Sequence, residues 1–185
     1  MCLQPGTLGI SQKFATGLFD GAWKVDAQTV ESKLDSYRAL ALEAAQQGIT
    51  LLTNNNATLP LSFAHRKILV VGSLANDAGS HTGGYTNGGA HVVTTWEAVQ
   101  ALCNATSGCS AELVQGASPD SFATTGIAAA VAVAAKADLI ITVVGDSQRT
   151  AGENADVDDL DLNGAQLPLL WAVRLRRRLH RWLRW

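Results

Sequence analysis

The sequence contains few charged residues: Asp, Glu, Lys and Arg make up only 16% of its 185 residues, whereas 47% are hydrophobic. A chain of this composition can bury a core and is not expected to be intrinsically disordered. No apolar run is long enough to span a bilayer, and residues 1–10 lack the basic start and apolar middle of a signal peptide. We therefore expect one globular domain with no membrane segment and no export signal in this chain. Two Asn-x-Thr sequons, which begin at Asn56 and Asn104, nevertheless favour a secreted parent protein.

Basic residues are scarce outside the last dozen positions. Six of the 14 Lys and Arg residues lie between Arg174 and Arg184, so residues 1–173 carry 8 basic and 16 acidic side chains, a net charge of −8. An acidic surface repels nucleic-acid phosphates, and we therefore expect no nucleic-acid partner. Residues 174–185 combine arginine and tryptophan without any acid. Two explanations stay open for them: an altered reading frame or gene-model end, or a basic amphipathic helix that touches an acidic surface or a membrane.

Motifs for several common kinds of site are also missing. No G-x-G-x-x-G spacing follows the apolar run Lys67–Val71, which disfavours a dinucleotide site. His81 and His91 have no Cys, Asp or Glu at ligand spacing, so no metal site is expected. Among the three cysteines, Cys103 and Cys109 flank a turn-forming NATSG segment. These two could form a disulfide or stay reduced, and their spacing does not decide between the two states.

The hydrophobic pattern predicts an alternation of strands and helices. Strands are expected at Lys67–Val71, Glu112–Gln115 and Leu139–Val144. Helices are expected over Ser36–Gly48, from Thr94 with Trp96, Val99 and Leu102 buried, over Asp120–Ala137, and again after Leu160. Strands that alternate with helices favour a parallel, doubly wound sheet. The predicted fold class is therefore α/β, a sandwich with a central, mostly parallel sheet flanked by helices.

A loop rich in carboxylates follows the predicted strand Leu139–Val144. This acidic loop, residues 145–162, begins where the apolar run ends at Gly145, and it carries Glu153, Asp156, Asp158, Asp159 and Asp161. Ligands of open α/β sheets gather at the carboxyl ends of the strands, so the acidic loop is a candidate for substrate contact. The alternative is a solvated surface loop without a chemical role.

A second candidate loop is the Gly-rich segment, residues 79–90, with the sequence GSHTGGYTNGGA. It has too many glycines for a regular helix or strand, and we expect a loop throughout. Glycines allow the backbone to approach a ligand, and Tyr85, His81 and Asn87 could hydrogen-bond to a sugar ring or stack on it. A flexible surface connection is the alternative interpretation.

Three separated stretches occur in an order that one known family shares. They are RALALEAAQQGITLLTNNNATLPL from Arg38, KILVVGSLAND from Lys67, and the strand, acidic loop, L-x-L and Gly-x-Gln pattern of residues 136–166. Together they resemble the C-terminal α/β sandwich domain of glycoside hydrolase family 3, the β-glucosidases and β-xylosidases. The resemblance implies a sandwich domain over residues 36–173, a remnant of a barrel end and linker over residues 1–35, and an aberrant tail over residues 174–185. An ordinary N-terminal helix is the alternative for the first segment.

The resemblance also implies roles for particular residues. Retaining glycosidases use a carboxylate nucleophile and a proton-transferring carboxyl about 5 to 5.5 Å apart. By resemblance, the nucleophile is an Asp of an N-terminal (β/α)8 barrel domain, a partner that we do not expect in this chain, and Glu153 matches the acid/base. Asp156 matches the Asp of an Asp-Arg pair whose Arg is Val157 here, and Asn163 replaces a usual Pro. Tyr85 lies in a loop similar to a substrate-binding Gly-x-Tyr loop. No cofactor or metal ion is implied.

Two functions follow as hypotheses. In the first, the chain is part of a retaining, exo-acting glycosidase that hydrolyses β-glucosides or β-xylosides. The chain would supply the acid/base to a barrel domain carried elsewhere and would be inactive alone. In the second, the chain is a non-catalytic carbohydrate-binding or interaction module that uses the Gly-rich segment and the acidic loop. Restored turnover on addition of a separately expressed barrel domain distinguishes the first from the second.

Overall fold

The structure is a computed structural model that describes residues 5–21, 26–64, 66–86 and 92–175. Two compact units make up the chain, residues 1–50 and residues 51–185. Most of the expected tail, as well as Asn87 and His91, lies outside the described residues. No helix within the described ranges is long and apolar enough to cross a membrane.

The described part of the first unit contains three helices: α1 (Pro5–Ala15), α2 (Ala27–Ser36) and α3 (Arg38–Gly48). Asp26 caps α2, because its carboxylate accepts hydrogen bonds from the backbone N–H groups of Gln28 and Thr29. The pattern predicted α3 but missed α2. Neither α2 nor α3 contains a buried residue, so local helix propensity and capping, rather than a core of their own, account for these two helices.

The second unit contains a three-stranded parallel sheet with the strand order β2-β1-β3. The strands are β1 (Lys67–Val71), β2 (Ser110–Val114) and β3 (Leu139–Thr142). In the central strand, Ile68 is aligned with Ala111 of β2 and with Leu139 of β3. The three predicted strands are confirmed, although β2 begins two residues earlier than predicted and β3 ends two residues before the end of the apolar run.

Helices cover both faces of this sheet. They are α5 (Thr95–Asn104), α6 (Ile127–Ala134) and α7 (Gln166–Leu175). A further short helix, α4 (Ala78–Thr82), contains no buried residue, and short 3₁₀ turns lie at Asn55–Ala57 and Ser73–Asn76. Leu69 and Val71 belong to a buried cluster with residues of α6 and α7. Ile68 and Val70 belong to a second cluster, with Val99 of α5. Successive residues of β1 therefore pack on opposite faces of the sheet, as expected for a strand. The predicted α/β fold class is confirmed.

The helix predicted over Asp120–Ala137 is wrong in its first third, because α6 begins only at Ile127. The residues before it form an irregular segment, the strap, residues 117–126. The strap is held by contacts that a helix would not allow: the Ser121 carbonyl accepts a hydrogen bond from Ala165 N at 2.9 Å. Pro119 and Gly126 in the strap also disfavour a helix, so the alanine-rich part of the predicted helix starts only after them.

Helix α5 starts as predicted, and two of its three predicted core residues, Trp96 and Val99, pack in the core. The Thr94 hydroxyl accepts from the Glu97 backbone N–H while the Glu97 side chain accepts from Thr94 N, which is a capping box. Val99 is buried, but Leu102 is 55% exposed, and Cys103 is buried instead. Cys103 forms a disulfide with Cys109, which directs this side of the helix toward β2. The prediction for Leu102 was therefore wrong.

The Gly-rich segment is not a loop throughout, as predicted, because its first residues belong to the short helix α4. The Asp77 carboxylate caps this helix by accepting from Gly79 N at 3.0 Å and from the Ser80 hydroxyl at 2.6 Å. The Ser80 hydrogen bond in particular holds the pKa of Asp77 below its ordinary value of 3.8. A single turn of helix thus fits among the glycines where an aspartate can cap it.

Candidate functional site

The carboxyl ends of β1 and β3 place the two candidate loops side by side. β1 leads through Gly72 into the Gly-rich segment, and β3 leads into the acidic loop. Neighbouring parallel strands end at the same edge of a sheet, so both loops leave from one edge. Gly72 has a φ of +123°, and a Cβ at this position would overlap the Val143 carbonyl oxygen. Only glycine allows β1 to end this close to the chain that leaves β3.

Among the described residues, two hydrogen bonds connect the Gly-rich segment with the acidic loop. The Tyr85 hydroxyl donates to Glu153 Oε2 at 2.8 Å, and Gln148 Nε2 donates to the Gly79 carbonyl oxygen at 2.9 Å. Tyr85 is 90% exposed, and Glu153 is exposed as well. The structure therefore brings two of the candidate site residues, Tyr85 and Glu153, together on an open surface, although 68 positions separate them in the sequence.

Glu153 lies at the tip of a tight turn. Gly152 and Ala155 exchange two backbone hydrogen bonds, of 3.4 Å and 3.0 Å, which close the turn on both sides of the tip. Asn154 has a φ of +64°, a left-handed conformation that Asn tolerates better than most residues with a side chain. Glu153 is exposed in this turn, so a ligand or another domain can reach its carboxylate.

The remaining candidates have less defined environments. Asp156 is exposed, and no described residue hydrogen-bonds to its carboxylate. His81 uses Nδ1 to donate to the Asp77 carbonyl at 2.7 Å, and its Nε2 lies 3.3 Å from the Thr95 hydroxyl. Both ring nitrogens therefore have partners within the domain. Asn87 is outside the described residues. Within the described ranges, no three His, Cys, Asp or Glu side chains are grouped so that they could hold a metal ion.

Sequence analysis missed a group of polar contacts that closes the base of the acidic loop. The buried Ser147 hydroxyl donates to the Asp120 carboxylate of the strap. Asn163 Nδ2 donates to Asp146 Oδ1 at 2.6 Å, and the Gln166 amide bonds to both ends of the loop. The signal for them in the sequence is the Gly-x-Gln pattern, which contributes to the family resemblance but does not indicate which residues the Gln166 side chain contacts.

The family model of the glycosyl hydrolase family 3 C-terminal domain matches residues 49–177. A β-xylosidase of Formosa agariphila is 33% identical over 172 residues, which cover 89% of this chain and 24% of the relative. The probable β-D-xylosidase 6 of Arabidopsis thaliana is 35% identical over 164 residues, which cover 83% of this chain and 20% of the relative. The chain thus spans a quarter or less of the length of these relatives.

Solved structures of larger enzymes contain the same fold. An exo-β-xylosidase in complex with a xylobiose aziridine activity-based probe superposes with a TM-score of 0.65 and 29% identity, over 75% of this chain and 17% of that one. A β-glucosidase involved in saponin metabolism from intestinal bacteria gives a TM-score of 0.74 and 26% identity, over 91% of this chain and 27% of that one. With its parallel sheet, its two adjoining loops and a family match over more than half its length, the chain belongs to glycoside hydrolase family 3 and carries the C-terminal domain of that family.

Proposed function

We propose that this chain supplies the proton-transferring carboxyl of a retaining β-glycosidase, with Glu153 as the general acid/base. The observation that carries this proposal is the 2.8 Å hydrogen bond between Tyr85 and Glu153. It joins the two loops that leave the carboxyl edge of the sheet, and it fixes the orientation of an exposed carboxylate beside an exposed aromatic ring. A carboxylate and an aromatic side chain together suit a sugar substrate, because the carboxyl group can transfer a proton and the aromatic side chain can pack on the sugar ring.

The chemistry requires Glu153 to act twice. As an acid it protonates the glycosidic oxygen while the leaving group departs, and as a base it then removes a proton from the water that cleaves the glycosyl-enzyme. The exposed turn tip suits both steps, since Glu153 can be enclosed by a second domain that holds the sugar. Asp156, three residues further on, is proposed to contact the sugar hydroxyls from the same exposed loop.

A second domain must provide the nucleophile. The relatives are about four times as long as this chain, since it covers 24% of the Formosa agariphila enzyme, so other domains accompany this one there. We propose that the partner is an N-terminal (β/α)8 barrel domain carrying the nucleophilic Asp. Covalent catalysis needs that carboxylate, so this polypeptide alone is expected to hydrolyse nothing.

The substrates are proposed to be β-xylosides or β-glucosides, cleaved from the chain end. The relatives named above include β-xylosidases and a β-glucosidase. The residues that would hold the sugar ring itself are expected to lie mainly on the partner domain, so this chain does not favour one sugar over the other.

Complementation tests this function. The full chain is mixed with the separately expressed N-terminal part of the Formosa agariphila β-xylosidase, and hydrolysis of an aryl β-xyloside is measured together with complex formation. Neither part alone should turn over the substrate, and the mixture should. A stable complex without turnover would favour a non-catalytic carbohydrate-binding or interaction module. Failure to form any complex would contradict the proposed partner, and turnover by the isolated chain that survives Glu153→Gln would contradict the proposed role of Glu153.

A further inference from the structure

Gln166 is a polar side chain in an unusual position. It is the first residue of α7 and is only 1% exposed. Burying a primary amide is costly unless its donors and acceptor find partners. Here they do: Oε1 accepts from Gly145 N at 3.0 Å, and Nε2 donates to the Gly145 carbonyl at 2.7 Å and to the Asn163 carbonyl at 2.9 Å.

These partners lie at opposite ends of the acidic loop. Gly145 is its first residue, and Asn163 directly follows its last one. One side chain therefore connects the point where the chain leaves β3 with the point where it returns to α7. Asn163 strengthens the same closure, because its own amide donates to Asp146 Oδ1 at 2.6 Å.

The chemistry of the pairing selects an amide. Gly145 presents both an N–H donor and a carbonyl acceptor to the side chain, so the partner must accept and donate at once. An ionised carboxylate accepts only, and it would face two carbonyl oxygens. A methionine side chain fills a similar volume and makes neither kind of bond. Among these groups, only the amide satisfies Gly145 and Asn163 together.

The support beneath Gln166 is rigid. Leu169 and Val173, also on α7, are fully buried in the cluster that includes Leu69 of β1. The amide is therefore attached to the core, whereas Glu153 at the far end of the loop is exposed. A flexible loop whose ends are fixed on rigid elements has fewer conformations to sample, which is how an exposed catalytic group can be presented reproducibly.

We propose that Gln166 is a positioning residue that holds the two ends of the acidic loop together and thereby fixes where Glu153 is presented. The catalytic part of this inference rests on the proposed function of Glu153. The structural part, closure of the loop by the amide, does not depend on that function and can be tested on the full chain alone.

The test compares amide hydrogen exchange in the full chain and in two variants, Gln166→Met and Gln166→Glu. Losing the partner of a buried polar group should raise exchange of the Gly145 amide and of the acidic loop by about tenfold to a hundredfold in the Gln166→Met variant. Val173→Ala is the control for a pure packing defect. It should raise exchange throughout α6, α7 and the sheet, and the increase should be no larger in the acidic loop than elsewhere.

The Gln166→Glu variant adds the pH dependence of loop protection, a measurement that would not change if Gln166 only filled space. A protonated carboxyl can accept from Gly145 N and donate to one carbonyl, whereas the ionised form cannot donate, and burial favours the neutral form. Protection factors of the loop should thus be near those of the original chain at about pH 5 and fall by about tenfold or more at about pH 8. Gln100→Glu, at an exposed position on α5, is the matched control and should show no such change.

The outcomes separate the two proposals. Selective opening of the loop in the Gln166→Met variant, with recovery at low pH in the Gln166→Glu variant, supports positioning by Gln166. Unchanged protection, or uniform loss as in the Val173→Ala variant, would overturn it whether or not Glu153 is catalytic. In the complemented enzyme, raising the pH should lower the kcat of the Gln166→Glu variant while its KM changes less. Failure of complementation by the unaltered chain would count against the proposed function alone.

Discussion

At the scale of single residues, the position of Glu153 depends on its neighbour. The turn of residues 152–155 closes with Asn154 in a left-handed conformation, with a φ of +64°. Glycine adopts this conformation without strain, and asparagine visits it routinely, whereas other residues pay about 1 to 2 kcal/mol. The presentation of Glu153 therefore rests on a backbone conformation as well as on its hydrogen bond to Tyr85.

Substitutions at Asn154 should show this dependence. Asn154→Gly keeps the conformation accessible and should leave the turn intact, while Asn154→Val should open it at a cost of about 1 to 2 kcal/mol, because a β-branched side chain disfavours a positive φ. Amide exchange at Gly152 and Ala155 measures the opening. Equal protection in the two variants would show that the turn does not need a left-handed residue at this position.

Residues of the site differ in how far the sequence could predict them. Tyr85 and Glu153 follow strands that the apolar pattern identifies, so their meeting at one edge of the sheet follows from topology. The role of Gln166 could not be predicted in this way, because it depends on burial and on contact with Gly145 across the fold. A lone glutamine at the start of a helix pattern carries no sign of either.

At the scale of elements, Gly164 joins the acidic loop to α7. Its φ is +66°, and a Cβ would overlap the Ser118 carbonyl oxygen and lie 2.7 Å from that of Ser121 and 2.9 Å from that of Pro119. Gly164→Ala should therefore destabilise the domain by about 2 kcal/mol or more, from strain and displacement of the strap. The midpoint of denaturant unfolding measures this effect.

Gly84→Ala is the matched control for Gly164→Ala. Nothing lies within 4 Å of a Cβ built at Gly84, so its substitution should change stability by less than about 0.5 kcal/mol. If both alanine variants unfolded at the same denaturant concentration as the original chain, the close packing of Gly164 on the strap would not contribute to stability.

The cap of α4 should make local stability depend on pH. The pKa of Asp77 is lowered in the folded state, chiefly by the Ser80 hydroxyl. A lowered pKa means that the ionised carboxylate stabilises the fold above the unfolded pKa, which has an ordinary value of 3.8. This contribution is lost as the pH falls through the lower, folded value. Because Asp77 is partly exposed to solvent, the effect should stay below about 1 kcal/mol.

Asp77→Asn isolates this contribution. The asparagine keeps an oxygen that can accept from Gly79 N but does not titrate. Between about pH 5 and about pH 2, the original chain should therefore lose more protection in α4 than the Asp77→Asn variant does. Hydrogen exchange of the Gly79 to Gly83 region reports the difference. Parallel losses in both proteins would mean that Asp77 does not stabilise α4 through its charge.

The sequence predicted the strands better than the helices, and the reason is physical. β1 and β3 are short apolar runs whose alternate residues pack on two faces of the sheet, and such runs are a direct signal of burial in the core. The region before Ile127 contains Pro119, Gly126 and several Ser and Thr residues, which disfavour a helix, and the strap instead hydrogen-bonds to residues at both ends of the acidic loop. The late start of α6 therefore agrees with the local composition, whereas the tertiary contacts that hold the strap cannot be derived from it.

At the scale of the whole molecule, the α/β class and the family followed from the order of separated patterns, and both are confirmed. The boundaries at residues 36 and 173 stay predictions, although α7 itself continues to Leu175. The interpretation of residues 174–185 as an aberrant tail also stays a prediction, since residues 176–185 lie outside the described part of the chain.

The central claim concerns Glu153 in the complemented enzyme, and one measurement tests it most directly. Glu153→Ala is combined with the N-terminal part of the Formosa agariphila β-xylosidase, and kcat/KM is measured on an activated aryl glycoside and on an oligosaccharide. Aryl leaving groups need little protonation, whereas sugar leaving groups depend on the acid. Asp156→Ala, altered in the same loop, is the control.

We predict that the Glu153→Ala variant loses far more activity on the oligosaccharide than on the aryl glycoside, and that added azide restores turnover of the aryl substrate by replacing the water that Glu153 would activate. The Asp156→Ala variant should lose activity on both substrates to a similar extent and should not respond to azide. Equal losses on both substrates in the Glu153→Ala variant, with no azide effect, would contradict the assignment of Glu153 as the acid/base.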